Sequence, residues 1–374
     1  MPRPIQATIS VSALSHNLRT VMRALDQDCS AGRQRPSVWA VIKANAYGHG
    51  TDEALRGFAD AEGLAMLDLN DAVRCREAGW GGPLLLLEGF FETADIEVLD
   101  HYRISTVLHT SEQLDMLEQA QVVHTIDALV KLNSGMNRLG FQPSDYRAAF
   151  QRAQALQEAG VLGELGKMTH FARADDDPEA TRVQLDTFYR ATEGLPGRVS
   201  VCNSAATMTP GLAAQVVAPD GQWVRPGICL YGASPYAHRS AADMGLLPAM
   251  TLSARLISTR MVPAGAQVGY GYRYTAPCAM KVGVVACGYA DGYPRHAPDG
   301  TPVTVAGVRT QLIGRVSMDM LAVNLSPVPA ATVGSPVILW GAAGPSVDEV
   351  GLACGTIGYE LLCAVAPRVP RRIA

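Results

Sequence analysis

The chain has 374 residues, which at roughly 150 per domain predicts two domains, or one barrel-sized domain with an extension. Hydrophobic residues make up 48% and charged residues 18%, enough apolar material for a large core and too little charge for a disordered chain. Lys and Arg number 31 against 35 Asp and Glu, a net charge of -4, so neither a basic nucleic-acid-binding face nor a polybasic membrane anchor is expected. No apolar run approaches the ~18 residues of a membrane span. The opening stretch MPRPIQATISVSALSHNL lacks the basic, apolar and small-residue succession of a signal peptide, and a cytoplasmic location is expected.

In chain order, short apolar runs alternate with helical segments up to about residue 235. Strands are predicted at residues 37–43, 63–69, 83–88, 104–109, 126–133, 164–171, 199–203 and 224–231. Several are continuous apolar runs, as strands buried on both faces should be. Helical spacing marks segments such as residues 51–61, 70–78, 111–119, 143–159 and 178–192, with Thr51, Asn70 and Ser111 as expected caps. Eight strands with seven or eight intervening helices predict a (β/α)8 TIM-like barrel over residues 10–245. From about Pro248 the texture changes. Residues 249–262, 267–274, 280–288, 301–305, 312–323 and 336–340 read as β segments between Gly, Pro and Asp turns. Only residues 347–354 and 356–365 look helical, so a mostly β C-terminal domain over residues 246–374 is expected.

Eight cysteines are scattered with no C-x-x-C pair, which speaks against a structural zinc site, and no metal is expected. Cys202, Cys229 and Cys287 sit in apolar runs and read as reduced core thiols. Asp175, Asp176 and Asp177 read as a solvated loop before the helix at Pro178. Of the 31 basic residues only four are lysine: Lys43, Lys131, Lys167 and Lys281. In a barrel of this kind reactive groups lie at the C-terminal strand ends. The predicted ends carry Lys43, Lys131, His170, Asn203 with Ser204, and Arg225. A lysine leaving an apolar strand is partly desolvated, which lowers its pKa and favours the neutral, nucleophilic amine. The bland alternative is a snorkelling lysine. Spacing alone does not name the reaction.

The stretch AVIKANAYGHG (residues 40–50) resembles the pyridoxal-phosphate attachment site of alanine racemases. The resemblance continues through KLNSGMNRLGF (131–141), THFARAD (169–175), CNSAAT (202–207), VRPGICLYG (224–232), VGYGYRYTA (268–276), CGYADGYPR (287–295), GRVSMDM (314–320) and TIGYELLCAVAPRVPR (356–371). It implies a β domain joined by an N-terminal strand, here residues 1–9, and a homodimer with shared active sites. The cofactor implied is pyridoxal 5'-phosphate, carried on Lys43, which is also the base for D-alanine. Tyr270 is implied as the second base, acting on L-alanine from the partner subunit, with His170 and Arg225 lined up behind it. Two groups on opposite faces of the α-carbon suit a racemisation.

The same resemblance puts Arg225 at the pyridine nitrogen, and assigns phosphate binding to Tyr47, Ser204, the amides of Gly227 and Ile228, and Tyr359. Asn203 supports that turn. Arg138, Met318 and Asp319 are implied to meet substrate, Lys131 to carry a carbamate beside Arg138, and Tyr289 with Tyr359 to narrow the entrance. The implied activity is alanine racemisation, supplying D-alanine for peptidoglycan or serving alanine catabolism; the alternative is a broader-specificity small amino acid racemase. A pyridoxal-dependent decarboxylase on the same plan would call for an acid at the pyridine nitrogen, against Arg225. A non-catalytic carrier of this fold would be a single barrel, against the second domain.

Overall fold

The computed structural model describes residues 3–29 and 34–374; Met1 and Pro2 of the expected N-terminal strand lie outside them. The chain begins with β1 (Ile5–Ile9) and a helix, Val11–Asp28, whose cap Ser10 accepts from the Ala13 amide. That helix buries Leu14, Leu18, Val21 and Leu25, the one-sided spacing of an amphipathic helix. Eight parallel strands come next: β2 (Ser37–Val41), β3 (Gly63–Met66), β4 (Leu84–Leu86), β5 (Ser105–Leu108), β6 (Ile126–Lys131), β7 (Leu162–Met168), β8 (Arg198–Ser200) and β9 (Trp223–Val224). They pair in the order β8-β7-β6-β5-β4-β3-β2-β9. A bridge between Val199 and Gln222 closes the ring, so the sheet is a barrel with helices outside. Strands such as Leu84–Leu86 are buried throughout, because a barrel strand has core on one face and helices on the other.

Three local expectations shift. The capping side chains sit earlier, on Asp68 and Thr110, since a cap must be the last non-helical residue. The helix at Thr51 instead starts after Gly50 with no side-chain cap. The segment 224–231 leaves the sheet after Val224: Pro226 has no N–H for the ladder, and Ile228–Tyr231 coils into a short 3-10 turn.

In the second domain, β10 (Met250–Val262) is long enough to pair with three neighbours. A short ribbon, β11 (Gln267–Val268) with β12 (Tyr274–Thr275), comes next. Then come β13 (Met280–Val285), β14 (Pro302–Val305), β15 (Val308–Ile313), β16 (Leu321–Asn324) and β17 (Pro336–Trp340). The antiparallel ring β10-β13-β16-β15-β14-β17 closes on β10. β1 adds to β10, with Ile5 opposite Ala254 and Ile9 opposite Met250, and β18 (Arg371–Ile373) lies parallel to β1. Residues 267–274 are therefore not one strand. Gly269 and Gly271, at φ +78° and +69°, bend them into a turn that carries Tyr270. No described helix is long and apolar enough to cross a membrane.

Candidate active site

A cavity of about 310 Å³ opens at the C-terminal ends of the barrel strands. Its wall is built from the segments leaving β2 (Lys43, Tyr47), β4 (Glu88), β6 (Lys131, Arg138), β7 (His170), β8 (Asn203, Ser204) and β9 (Arg225, Gly227). Tyr359, from the helix Gly358–Ala364 of the second domain, closes one side.

The segment after β2 is the strained part. Ala44, Asn45, Ala46 and Tyr47 all lie at φ between +51° and +54°, one left-handed turn made without glycine. Each such residue costs about 1–2 kcal/mol, so the surrounding contacts must over-determine the turn. Lys43 precedes it and is half-buried. Desolvation lowers its amine pKa first, and the Arg138 guanidinium lowers it further. Tyr47 is buried, its ring stacked on Tyr231 at 4.6 Å.

Asn203 follows β8 and caps the helix Ser204–Met208 by accepting from the Ala206 amide. Ser204 Oγ accepts from the Gly227 amide at 2.7 Å, joining the turns after β8 and β9. Gly227 has no room for a side chain: a Cβ there would sit 2.3 Å from Tyr47 Oη. Ile228 is fully buried beside it. Arg225 is buried and donates to Ser200 Oγ (2.6 Å), Thr169 O (2.7 Å) and His170 Nδ1 (3.2 Å). Desolvation pushes its guanidinium down to about 10.

Lys131, at the end of β6, is pushed down to about 8, first by burial and then by Arg225 and Arg138. Near neutral pH part of this amine is uncharged and nucleophilic.

Two family-model matches span the chain: "Alanine racemase, N-terminal domain" over residues 9–235 and "Alanine racemase, C-terminal domain" over residues 249–373. The chain belongs to the alanine racemase family. It is therefore an isomerase by family, with the barrel and β-domain architecture that its sequence predicts. It is 62% identical to alanine racemases of Bordetella petrii, over 99% of both chains, and Bordetella avium, over 100% of both. It is also similar to the crystal structure of the biosynthetic alanine racemase from Pseudomonas aeruginosa. That likeness has a TM-score of 0.91 and 44% identity, and covers 100% of this chain and 99% of the other.

Among the sequence-predicted residues, the barrel mouth gathers Lys43, Tyr47, Lys131, Arg138, His170, Asn203, Ser204, Arg225, Gly227 and Tyr359. Tyr270, Tyr289, Met318 and Asp319 lie elsewhere, on loops of the second domain. Tyr270 is 70% exposed and Met318 53%, and the amides of Tyr289 and Ala290 tie that loop to Ser317 and Met318. Asp319 is occupied by an ion pair with Arg368 at 2.6 Å. Glu88 is a wall residue that sequence reasoning passed over, although it closes the predicted strand 83–88 as Lys43 and Lys131 close theirs. The three aspartates part company: Asp176 and Asp177 pair with Arg173, while Asp175 lines the cavity.

Proposed function

We propose that the chain interconverts L-alanine and D-alanine with two bases, using pyridoxal phosphate, as a cytoplasmic homodimer that supplies D-alanine for peptidoglycan or serves alanine catabolism. Residues 1–9 and 246–374 would form the β domain and residues 10–245 the cofactor barrel. The observation that carries this reading is Lys43, a lysine with a lowered pKa at the rim of a cavity whose other end is a cradle of hydroxyls and amides. The donor set fits the cofactor. Neither the Tyr47 nor the Tyr359 hydroxyl has a protein hydrogen-bond partner among the described residues, and Gly227 keeps its turn bare of side chain.

Tyr47, Ser204, the Gly227 and Ile228 amides and Tyr359 would hold the phosphate, the Gly227 amide then turning from Ser204 Oγ to the anion, the usual chemistry of an anion at N–H and O–H donors. When bound, the cofactor supplies the electron sink that makes an amino acid's α-proton removable. Lys43 Nζ would then take or return that proton on one face, for D-alanine. Tyr270 Oη of a second copy would do so on the other, for L-alanine. Arg225 presents only donors, so it would meet an unprotonated pyridine nitrogen and moderate the sink. Lys131 Nζ, uncharged in part, would bond to the carbon of CO2 and release a proton, and the resulting carbamate would hold Arg138 against the substrate carboxylate. Met318 and Asp319 of the second copy would complete the substrate pocket, and Tyr289 with Tyr359 its entrance. The exposure of Tyr270 and Met318 on a single chain favours shared sites.

Incubation with L-alanine in deuterated water tests the reading. Formation of D-alanine with α-deuterium, lost in Lys43→Ala, is the expected result; bound cofactor without α-exchange would sink it.

A further inference from the structure

The left-handed turn that carries Lys43 and Tyr47 is held from behind by a residue that does not line the cavity. His49 has no exposed surface. Its Nδ1 lies 2.9 Å from Tyr47 O and 3.1 Å from Ala46 O. Carbonyl oxygens only accept, so Nδ1 carries the ring proton and donates to both. Nε2 is then the bare nitrogen, and it is buried without a hydrogen-bond partner. A buried polar atom left unmatched is uncommon and unfavourable, so the imidazole is retained for what its other nitrogen does. Desolvation pushes the ring down to about 4, with the nearby Arg371 guanidinium pushing the same way, so it stays neutral at working pH.

The clamp has a second jaw. Tyr231 stacks on Tyr47 at 4.6 Å and meets the His49 ring at a tilt at 4.7 Å, and its hydroxyl donates to Val41 O at 2.9 Å. One jaw thus grips the carbonyls at the end of the turn, and the other grips the strand end that delivers Lys43. We infer that His49 is a positioning residue: its Nδ1–H, bonded to the Ala46 and Tyr47 carbonyls, locks the left-handed turn and so sets the Tyr47 hydroxyl and the Lys43 amine. The inference rests on the proposed roles of those two residues in holding phosphate and moving the α-proton.

The decisive comparison is His49→Asn against His49→Gln in the full-length enzyme. An asparagine amide can stand where Nδ1–H stands, whereas the glutamine amide reaches to the place of Nε2. Both are polar and neutral, so a general burial penalty is common to them. The readouts are pyridoxal phosphate affinity, measured by its visible absorption, and kcat and KM for L-alanine.

With His49→Asn we expect cofactor affinity within about threefold of the parent. With His49→Gln we expect a loss of tenfold or more (tenfold being 1.4 kcal/mol), and a fall in kcat rather than a rise in KM. Equal affinities in the two variants, or lowered thermal stability with unchanged affinity and kcat, would overturn the inference. The wild-type ring supplies a check that needs no variant. Nitrogen-15 shifts of labelled His49 should report the Nδ1–H form, and an Nε2–H or charged ring would overturn it. Failure of the parent enzyme to bind pyridoxal phosphate or to exchange the α-proton would instead count against the roles of Lys43 and Tyr47.

Discussion

Arg225 Nη2 lies 3.2 Å from His170 Nδ1, a guanidinium donating to an imidazole at the barrel mouth. The contact fixes the imidazole, because its Nδ1 must accept and its proton must therefore sit on Nε2. Burial, and next the Arg225 charge, hold His170 well below its ordinary pKa. The arginine in turn depends on Ser200 Oγ and Thr169 O for its orientation. One residue thereby decides the tautomer of another, and both face the cavity.

Replacing Arg225 by lysine should break this arrangement without changing the formal charge. A lysine offers donors from one point and lacks the planar fork that reaches three acceptors at once. Ser200 Oγ keeps its bond to Trp223 O, but Thr169 O and His170 Nδ1 cannot both be met as the fork meets them, and a buried group left unmatched costs about 1–3 kcal/mol. Urea denaturation of Arg225→Lys is expected to show a loss in that range, with racemisation lowered at least tenfold. Parent-like stability and rate would mean that the fork has no role.

Acid should destabilise the fold through its buried imidazoles. The folded pKa of His49 is depressed to about 4 from 6.5, and that of His170 also lies far below 6.5. The unfolded chain binds their protons first, so the stability these groups allow is complete above 6.5 and is lost as pH falls toward about 4. For His49 that loss is about 3 kcal/mol across the window. Denaturation midpoints measured across it should fall steadily, and less steeply in His49→Asn.

Asp348 should act with the opposite sign. It lies in the second domain, accepts from the Ser234 amide at 2.8 Å, and is raised from 3.8 to about 6, mainly by desolvation. Here the folded state binds the proton first, so stability falls as pH rises through that window. An asparagine oxygen can still accept from Ser234. Relative to the parent, Asp348→Asn should therefore gain about 1–3 kcal/mol between acid and neutral pH. A pH-independent difference would show that the carboxyl titrates normally.

Much of this architecture is visible in the chain before folding. Several strands of the barrel announce themselves as uninterrupted apolar runs, and Lys43, Lys131, His170 and Arg225 stand at or just past strand ends. Other features come from tertiary geometry and leave little local trace. Of the left-handed turn only Asn45 is a residue type that favours positive φ; Ala44, Ala46 and Tyr47 give no such signal. β18 reads Arg-Arg-Ile, a charged segment that becomes a strand only because β1 offers it an edge. Glu88 ends its strand as plainly as Lys43 does, yet an acidic side chain among basic ones gives no motif. The exposed position of Tyr270 depends on how Gly269 and Gly271 turn, which no periodicity records.

The proposed sharing of active sites between two copies makes a specific numerical demand. Lys43→Ala and Tyr270→Phe homodimers should each be inactive in racemisation. Mixed and reassociated, they form heterodimers in which one of two sites has both native residues. Random pairing then restores about a quarter of parental activity per site, the arithmetic of an isologous dimer. No recovery after verified subunit exchange would place Tyr270 and Lys43 in the same subunit's site or remove Tyr270 from the chemistry. Tyr270→Phe alone should still exchange the α-proton of D-alanine with solvent, since Lys43 remains.

Gly227 offers the narrowest steric test of the phosphate cradle. Its φ of -126° and ψ of -88° lie between the α and β regions, so an alanine there carries some backbone cost besides its contacts. The obstacle is Tyr47, whose Oη would lie 2.3 Å and Cζ 3.0 Å from the new Cβ. Tyr47 has little room to retreat, because its ring stacks on Tyr231 and that ring is tied to Val41 O. The conflict must therefore displace the Tyr47 hydroxyl or the Gly227 amide, two of the groups proposed to meet phosphate. Gly227→Ala is expected to fold and to bind pyridoxal phosphate at least about tenfold more weakly, a change of 1.4 kcal/mol or more. Gly81→Ala is the control, since nothing lies within 4 Å of a Cβ at that position and its φ needs no glycine. Equal cofactor affinity in the two variants, read by visible absorption titration, would place the phosphate away from the turn that joins Ser204 to Gly227.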